Sequence, residues 1–423
     1  MAVARFLQIS DLHLGRSFGW LPNEKRAERR ADQRKALERA VREAIERGVH
    51  AILIPGDLFD ADGVDAESMA FAVKAFTVSG CPPVFITPGN HDPWSDQSHL
   101  WSPRMLKARG WSWPEHVHIF TTAKWSALTV PNLSSVHIYG RCFTSNAVST
   151  SRPLEEGSII LPDSADAQGL EVAMFHGSNE DHCPPGQKIT APFSEKEVAN
   201  SPFAYHAVGH YHVPSRIEQK GADKSSTTGR GVSGRASAGV RLAYAGTPVA
   251  LDLSEAGEHG ALEVRVEYGG RQPMIEVEVL RLDRRKTYDL TADVTGCASP
   301  EQVDRRVEKT LGEAGVSELD LATVRLTGRL GHGVRYAGAG ADLLKRAFFL
   351  RVDLRAVRPD YDLDRFRSEE PTTTEQRFAR ALLERIEAEK DPEEKAVLES
   401  ALYYGLDAFK LREVMPAYED LGA

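Results

Sequence analysis

The sequence predicts an α/β protein: two stacked sheets flanked by helices, then a smaller α+β domain and C-terminal helices. Three observations carry this. Residues 4–92 alternate apolar strand runs with amphipathic helical stretches. Short strands then follow one another with almost no helix between them, which calls for a second sheet. From about residue 272 the pattern changes again, to longer alternating strands around one helix and a closing pair of amphipathic helices.

ARFLQIS (4–10) reads as a buried strand. In residues 25–47, Ala27, Ala31, Leu37, Val41, Ala44 and Ile45 recur among charges at helical spacing, and Gly48 follows as a stop. AILIP (51–55) is the next strand, 65–79 a second helix and PVFITP (83–88) a third strand. That order implies parallel pairing with helices on the sheet faces. Further strands are expected near 124–130, 135–139, 170–176, 203–209, 241–246 and 261–268, forming a second, more antiparallel sheet. Residues 219–240, rich in Gly and Ser and locally basic, read as a solvated linker, with a DNA-touching loop as the sharper alternative. The core domain is expected over 1–271 and a small α+β domain over 272–357, with strands at IEVEVLRL, TYDLTADV, LATVRLTGRL and FFLRVDLRAV. Residues 358–423 form a linker and two helices whose apolar stripe must dock on their own chain or on a partner.

With 423 residues, 41% of them hydrophobic and 27% charged, the chain has the composition of a globular protein of two or three domains. No apolar run approaches the ~20 residues needed to cross a bilayer. The N-terminus leads straight into a strand, so a cytoplasmic protein is expected. Cys81, Cys142, Cys183 and Cys297 are far apart and form no CxxC pair, which speaks against a disulfide framework or a zinc finger. The net charge of −9 argues against a generally basic, non-specific nucleic-acid binder but leaves room for a local basic groove.

Four motifs each end a predicted strand: DLH (11–13), GDLFD (56–60), GNHD (89–92) and GHYH (209–212). His176, in VAMFHG, closes a fifth. Ligand sites of α/β sheets collect beyond the carboxyl ends of the strands, so Asp11, His13, Asp57, Asn90, His91, His176, His210 and His212 are expected to converge. Hydrolysing a phosphate ester needs charge neutralisation and an activated water, which two divalent ions roughly 3.5–4 Å apart supply. A mixed nitrogen and oxygen donor set suits Mn, Fe or Zn better than Mg or Ca. DxH and HxH should set two ligands on one strand face. Asn90 offers a neutral carbonyl, and its neighbour His91 is then free to act as a general acid. One such motif alone means little; all of them in this order, each at a strand end, mean a site.

Around these motifs, Trp94 is the best placed of the clustered tryptophans to stack on a base. Trp101, Trp111, Trp113 and Trp125 read as the small core of their own loop. Arg16 could touch a phosphate or form a surface ion pair. His99, His182 and His206 fit no ligand spacing and are read as structural.

In order, DLH, GDLFD, GNHD, FHG and GHYH resemble the motifs of the calcineurin-like metallophosphoesterases, over about residues 5–270. Within that superfamily DLHLG, the helix before AILIPGDLFD, and AGTPVALDLSEAGEHG (245–260) resemble the SbcD-type DNA repair nucleases; the later residues do so only in layout. The resemblance implies Asp11, His13 and His212 on one metal, Asn90, His176 and His210 on the other, and Asp57 bridging. It also implies His91 as proton donor to the leaving oxygen, manganese as the usual metal, and DNA as the substrate of an exo- or endonuclease. An SbcC-like coiled-coil ATPase would be the partner, meeting the helices at 373–412, and a homodimer is compatible. One position departs: many SbcD-type enzymes carry His where this chain has Asp60. Asp60 is expected to weaken exonuclease relative to endonuclease or simple diesterase activity. The alternative function is a phosphoesterase for a small nucleotide, cyclic nucleotide or phosphoprotein, which Asp60 and the acidic charge favour. A non-catalytic scaffold would be expected to have lost some of the eight site residues.

Overall fold

A computed structural model of the chain describes residues 1–159, 169–184, 187–218, 239–331, 334–359 and 361–411. It divides into two compact units, Met1–Thr287 and Tyr288–Ala423.

In the first unit β1 (Ala2–Gln8), β2 (Ala51–Ile54), β3 (Val84–Ile86) and β4 (Val117–Ile119) pair in parallel. Helices α1 (Asn23–Glu46) and α2 (Ala66–Ala75) lie in the crossovers, as the strand–helix alternation requires. The second sheet contains β5 (Ser126–Val130), β6 (Leu133–Gly140), β7 (Leu170–His176), β8 (Tyr205–Gly209), β9 (Ser215–Glu218) and β10 (Val240–Tyr244), in the spatial order β5-β6-β7-β8-β10-β9. Short helices α3 (Pro103–Lys107) and α4 (Glu195–Asn200) sit in the connections. The expectation of a more antiparallel second sheet is overturned: β6, β7, β8 and β10 run parallel, and only the two edge pairings are antiparallel. The segments after β6 and β7 are long enough to cross over without a long helix, which is all that parallel pairing requires.

The strand expected at 261–268, β11 (Gly260–Tyr268), joins the first sheet instead, antiparallel to β1. Along its other edge it pairs with β12 (Met274–Arg281). The strand expected to open the small domain at 272 thus completes the first sheet, and the compact unit continues to Thr287.

The sheets close on one core, to which Phe6, Leu53 and Phe85 come from the first and Ile138, Met174 and Ala207 from the second. Gln8 is buried among them and fully used: Tyr205 Oη donates to its Oε1 at 2.6 Å, and its Nε2 donates to Ala243 O at 2.8 Å. Helix α1 buries Ala36, Leu37, Ala40, Val41 and Ala44 along its second half, as its spacing predicts. Its first half does not follow that stripe. Ala27 is exposed, while Arg29, Asp32 and Gln33 are buried. Arg29 grips Asp283 through two bonds of 3.0 and 2.7 Å, and Arg285 Nε reaches Asp32 at 2.7 Å. Gln33 Nε2 donates to the carbonyls of Leu12 and His13, so this helix holds the DLH loop in place.

His206 is structural, as expected, sharing its ring between Arg241 O (2.8 Å) and Ser201 Oγ (2.6 Å). Burial pushes its pKa down to about 3, against the bond to Arg241 O, so the ring stays neutral in the fold. The unfolded chain takes up a proton near pH 6.5 that the folded chain refuses. Stability is therefore lost as pH falls from about 6.5 toward 3, at up to about 1.4 kcal/mol per pH unit. Replacing His206 with Asn should flatten that acid limb in a plot of Tm against pH.

The second unit holds β13 (Thr287–Asp293), β14 (Leu321–Leu330) and β15 (Phe349–Pro359) in one sheet, with α5 (Pro300–Glu313) laying Val303, Val307 and Leu311 on its core and the short α6 (Ala341–Leu344) beside it. Helix α7 (Leu363–Ser368) leads into α8 (Thr374–Ala388), begun by a Thr373–Gln376 capping box, and α9 (Pro392–Leu411). Ala379, Leu383 and Ile386 pack on Leu398, Leu402 and Leu406, so these positions are buried within the hairpin, while Val397 and Phe409 stay exposed. Arg329 lies 3.7 Å from the Tyr403 ring centre and 3.6 Å from Asp407, tying the hairpin to β14. Most of the Gly- and Ser-rich stretch, 219–238, lies outside the described residues, as do 412–423. All four cysteines are free, and no described helix is long and apolar enough to cross a membrane.

Candidate metal centre

Every expected ligand comes to the same edge of the sandwich. Asp11 and His13 follow β1, Asp57 follows β2, Asn90 and His91 follow β3, His176 ends β7, and His210 and His212 follow β8. The reasoning from a shared strand face does not hold for DLH or GHYH, because both lie beyond their strands. The chain turns there instead through left-handed residues: Asp11 (φ 52°), His13 (49°), Asp57 (51°) and His210 (118°). A non-glycine residue in this region costs on the order of 1–2 kcal/mol, and such strain persists where the surroundings over-determine it. Here they do. His13 N donates to Asp57 O and Leu14 N to Leu58 O, zipping the DLH loop along the GDLFD loop. Gly89 is required by close approach, since a Cβ there would strike the Asp57 carboxylate. Gly56 combines φ 99° with the His176 ring packed against it.

Asp57 sits at the centre. Its Oδ2 is 3.6 Å from His13 Nε2 and 3.3 Å from His176 Nε2, and its Oδ1 accepts from His91 N at 2.9 Å. Asp11 accepts from His210 N at 3.1 Å. Donor atoms of Asp11, His13 and His212 all lie within 4.8 Å of one another, as do those of Asp11, Asp57 and His176, and of His13, Asp60 and His91. The rings of His176 and His210 are 5.2 Å apart. Both ring nitrogens of His13, Nε2 of His176 and Oδ1 of Asn90 are buried with no hydrogen-bond partner. One such orphan costs about 1–3 kcal/mol. Several pointing into one mixed nitrogen–oxygen cluster fit a pair of divalent cations.

Burial opposes the charge of Asp57, but His176 and then His13 outweigh it and hold the carboxyl well below its usual range. Burial raises the pKa of Asp11, only partly offset by His176 and His212. Burial lowers His13 to about 3, and burial together with His176 lowers His210 to about 4, keeping both rings neutral as ligands must be. Burial would lower His176 too, yet Asp57 and then Asp11 carry it up to about 9. The two buried carboxylates thus draw positive charge into this spot.

Outer partners orient the rings. His212 Nδ1 meets Glu255 Oε1 at 2.6 Å, His176 Nδ1 meets Pro55 O at 3.1 Å, and His210 Nε2 meets Lys188 O at 2.9 Å. Glu255 also accepts from Leu251 N at 2.7 Å. Sequence reasoning misses Glu255, because a lone Glu in a loop carries no spacing signal. Glu255→Gln should weaken metal binding about 10–100-fold, read by titration of metal into the metal-free protein. It also misses Asp92, although the residue ends GNHD. Asp92 is buried, accepting from Gly89 N at 2.6 Å and Phe59 N at 3.1 Å, which locks two ligand loops together. Burial and the nearby Asp57 raise its pKa to about 7.

His91 stands at the mouth with its side chain 43% exposed, its Nδ1 3.7 Å from Asp60 Oδ1. That contact with Asp60 raises its pKa. Arg16 pairs with the other oxygen of Asp60 at 3.3 Å, the plainer of its two readings. Trp94 is half-buried, anchored by its backbone N–H to Phe143 O at 2.9 Å, and its indole N–H is buried without a partner. The tryptophans around it serve packing: Trp101 is buried and stacks on Trp113 at 5.7 Å, and Trp125 packs against Phe175.

Residues 4–214 match the family described as calcineurin-like phosphoesterase. No curated protein sequence matches the chain. Solved structures similar to it include TT1561 of Thermus thermophilus, with 14% identity, 62% of this chain and 94% of that one covered, and a TM-score of 0.33. A dimetal phosphatase from Danio rerio has 12% identity, coverage of 64% and 98%, and a TM-score of 0.35. Purple acid phosphatase PPD1 from yellow lupin (Lupinus luteus) seeds has 11% identity, coverage of 63% and 50%, and a TM-score of 0.37. Residues 4–214, which hold every candidate ligand from Asp11 to His212, form a calcineurin-like phosphoesterase domain.

Proposed function

We propose that the protein is a two-metal phosphodiesterase that hydrolyses DNA, with manganese as its working ion and iron or zinc as ions the same donors accept. The observation that carries this is the convergence of the unpaired buried donors of His13, Asn90 and His176 around Asp57. Asp11, His13 and His212 would hold one ion and Asn90, His176 and His210 the other, with Asp57 shared. When bound, such ions would supply charge neutralisation on the phosphoryl oxygens and an activated water. The protein's own groups do the rest. With His91 Nδ1 3.7 Å from Asp60 Oδ1, Nε2 is the nitrogen left to give a proton to the leaving oxygen. Glu255 and the carbonyls of Pro55 and Lys188 hold the ligand rings in their orientations.

DNA as the substrate is supported by the SbcD-like stretches DLHLG and 245–260 and by the additional α+β unit with its helical hairpin. An SbcC-like ATPase partner and a dimer of this chain belong to the same reading. The test incubates the wild type and His91→Ala with circular single-stranded DNA and with a chromogenic phosphodiester, each with manganese. The wild type should cut both. Hydrolysis of the small ester but never of DNA would overturn the DNA reading in favour of a small-substrate phosphoesterase. On a labelled hairpin Asp60→His should raise the exonuclease-to-endonuclease ratio; an unchanged ratio removes Asp60 from any such role.

A further inference from the structure

Two cations whose backbones adjoin the ligand-bearing segments have no described carboxylate partner. Arg141 follows β6, where its N–H donates to Met174 O at 3.4 Å, one strand over from His176 and nearly level with it. Its guanidinium is half-buried, donates to Ser151 Oγ at 3.2 Å and lies 5.9 Å from the Trp125 ring centre. That distance is at the outer limit of a cation–π contact, ~6 Å, so the ring compensates little of the buried charge. Burial lowers its pKa, so the fold bears a cost for keeping the charge there. The contrast with Arg152 is plain, since Arg152 is clamped by Glu180 and Glu197.

Lys188 is the second cation. Its carbonyl accepts from His210 Nε2, which fixes the residue's backbone beside that ligand, and among the described residues its exposed ammonium makes no ion pair. The segments carrying the two cations are tied together: Ser149 N donates to Thr190 Oγ1 at 3.0 Å and Ala191 N to Ser149 O at 2.7 Å. Ala191 is held at φ 42°, a strained conformation that these bonds enforce. The same tied segments also expose Val148 and Ile189, by 61% and 47%. Two cations and exposed apolar surface on joined segments are the chemistry that phosphates and bases of a single strand call for.

We propose that Lys188 and Arg141 bind phosphates adjacent to the one being hydrolysed, so that the preferred substrate is a single-stranded oligonucleotide rather than an isolated phosphoester. This rests on the DNA reading above and deepens it. The test measures kcat/KM of the wild type, Arg141→Gln and Lys188→Gln on a single-stranded oligonucleotide and on bis-p-nitrophenyl phosphate, across a salt series with manganese. Each variant should lower the oligonucleotide-to-ester ratio at least tenfold. Each should also flatten the log–log salt dependence for the oligonucleotide by about 0.7, the slope expected of one single-strand phosphate contact. Dividing by the ester rate removes any loss due to misfolding. If the wild type cuts the oligonucleotide and both variants keep its ratio and salt slope, the two cations are not phosphate contacts and the DNA reading survives. If the wild type cuts the ester alone, the DNA reading itself is overturned, and this proposal with it.

Discussion

Asp57→Asn is expected to lower phosphodiester turnover by about three orders of magnitude and to take the bound manganese below two ions per chain. In the proposed arrangement this carboxylate is shared by both ions, so its loss would remove several kcal/mol of transition-state charge stabilisation, and each 1.36 kcal/mol is about tenfold in rate. Turnover of a chromogenic diester and elemental analysis of desalted protein give the two readings. Full metal content with turnover within tenfold of wild type would remove Asp57 from the bridge. Stability gives an independent reading. Ions at about 100 times their Kd stabilise the fold by about 2.7 kcal/mol per site. Chelation should therefore lower the wild-type Tm by several degrees and that of Asp57→Asn by less.

His91→Ala should be nearly as damaging through a different route. A positioned general acid contributes about 10²–10⁴-fold, so kcat should fall in that range while metal content stays at the wild-type level. The loss should depend on the leaving group. A nitrophenolate leaves without a proton, whereas a deoxyribose alkoxide cannot, so the deficit should be much larger on DNA than on the chromogenic ester. Equal deficits on both substrates would mean that His91 does not protonate the leaving oxygen. Asp60→Asn should reproduce part of the DNA deficit, because Asp60 is what raises the His91 pKa.

The positions of the ligand motifs are legible because chemistry constrains residue type at strand ends, and each strand end can be read from its apolar run. How the ligands turn inward is not. DLH reads as one strand face, but Asp11 and His13 reach the cluster through left-handed backbone, which apolar alternation cannot signal. The second sheet misleads because a scarcity of predicted helix suggests antiparallel pairing, when any sufficiently long connection serves parallel strands as well. In the first turns of α1 the expected apolar stripe gives way to Arg29, Asp32 and Gln33. These are polar residues whose partners lie far along the chain or in the DLH loop, so no local window contains the evidence. Asp92 and Glu255 escape for a similar reason. Their work is to orient other residues, and only three-dimensional proximity shows it.

Asp11, His13, Asp57 and Asn90 belong to loops of the first sheet, whereas His176, His210 and His212 belong to the second. In the proposed arrangement, cations held by both groups act as rivets across the seam of the sandwich. Part of their binding energy then goes into keeping the two layers pressed together. Stripping the metal should accordingly loosen more than the catalytic loops. Amide hydrogen exchange should quicken together in β1, β7 and β8, the strands whose ends face each other over the site, while β12, the edge strand two places from β1 in the first layer, keeps its protection. A chain released before β8 is made can carry only one side of each rivet hole, so metal capture and closure of the sandwich should be a single late event in folding.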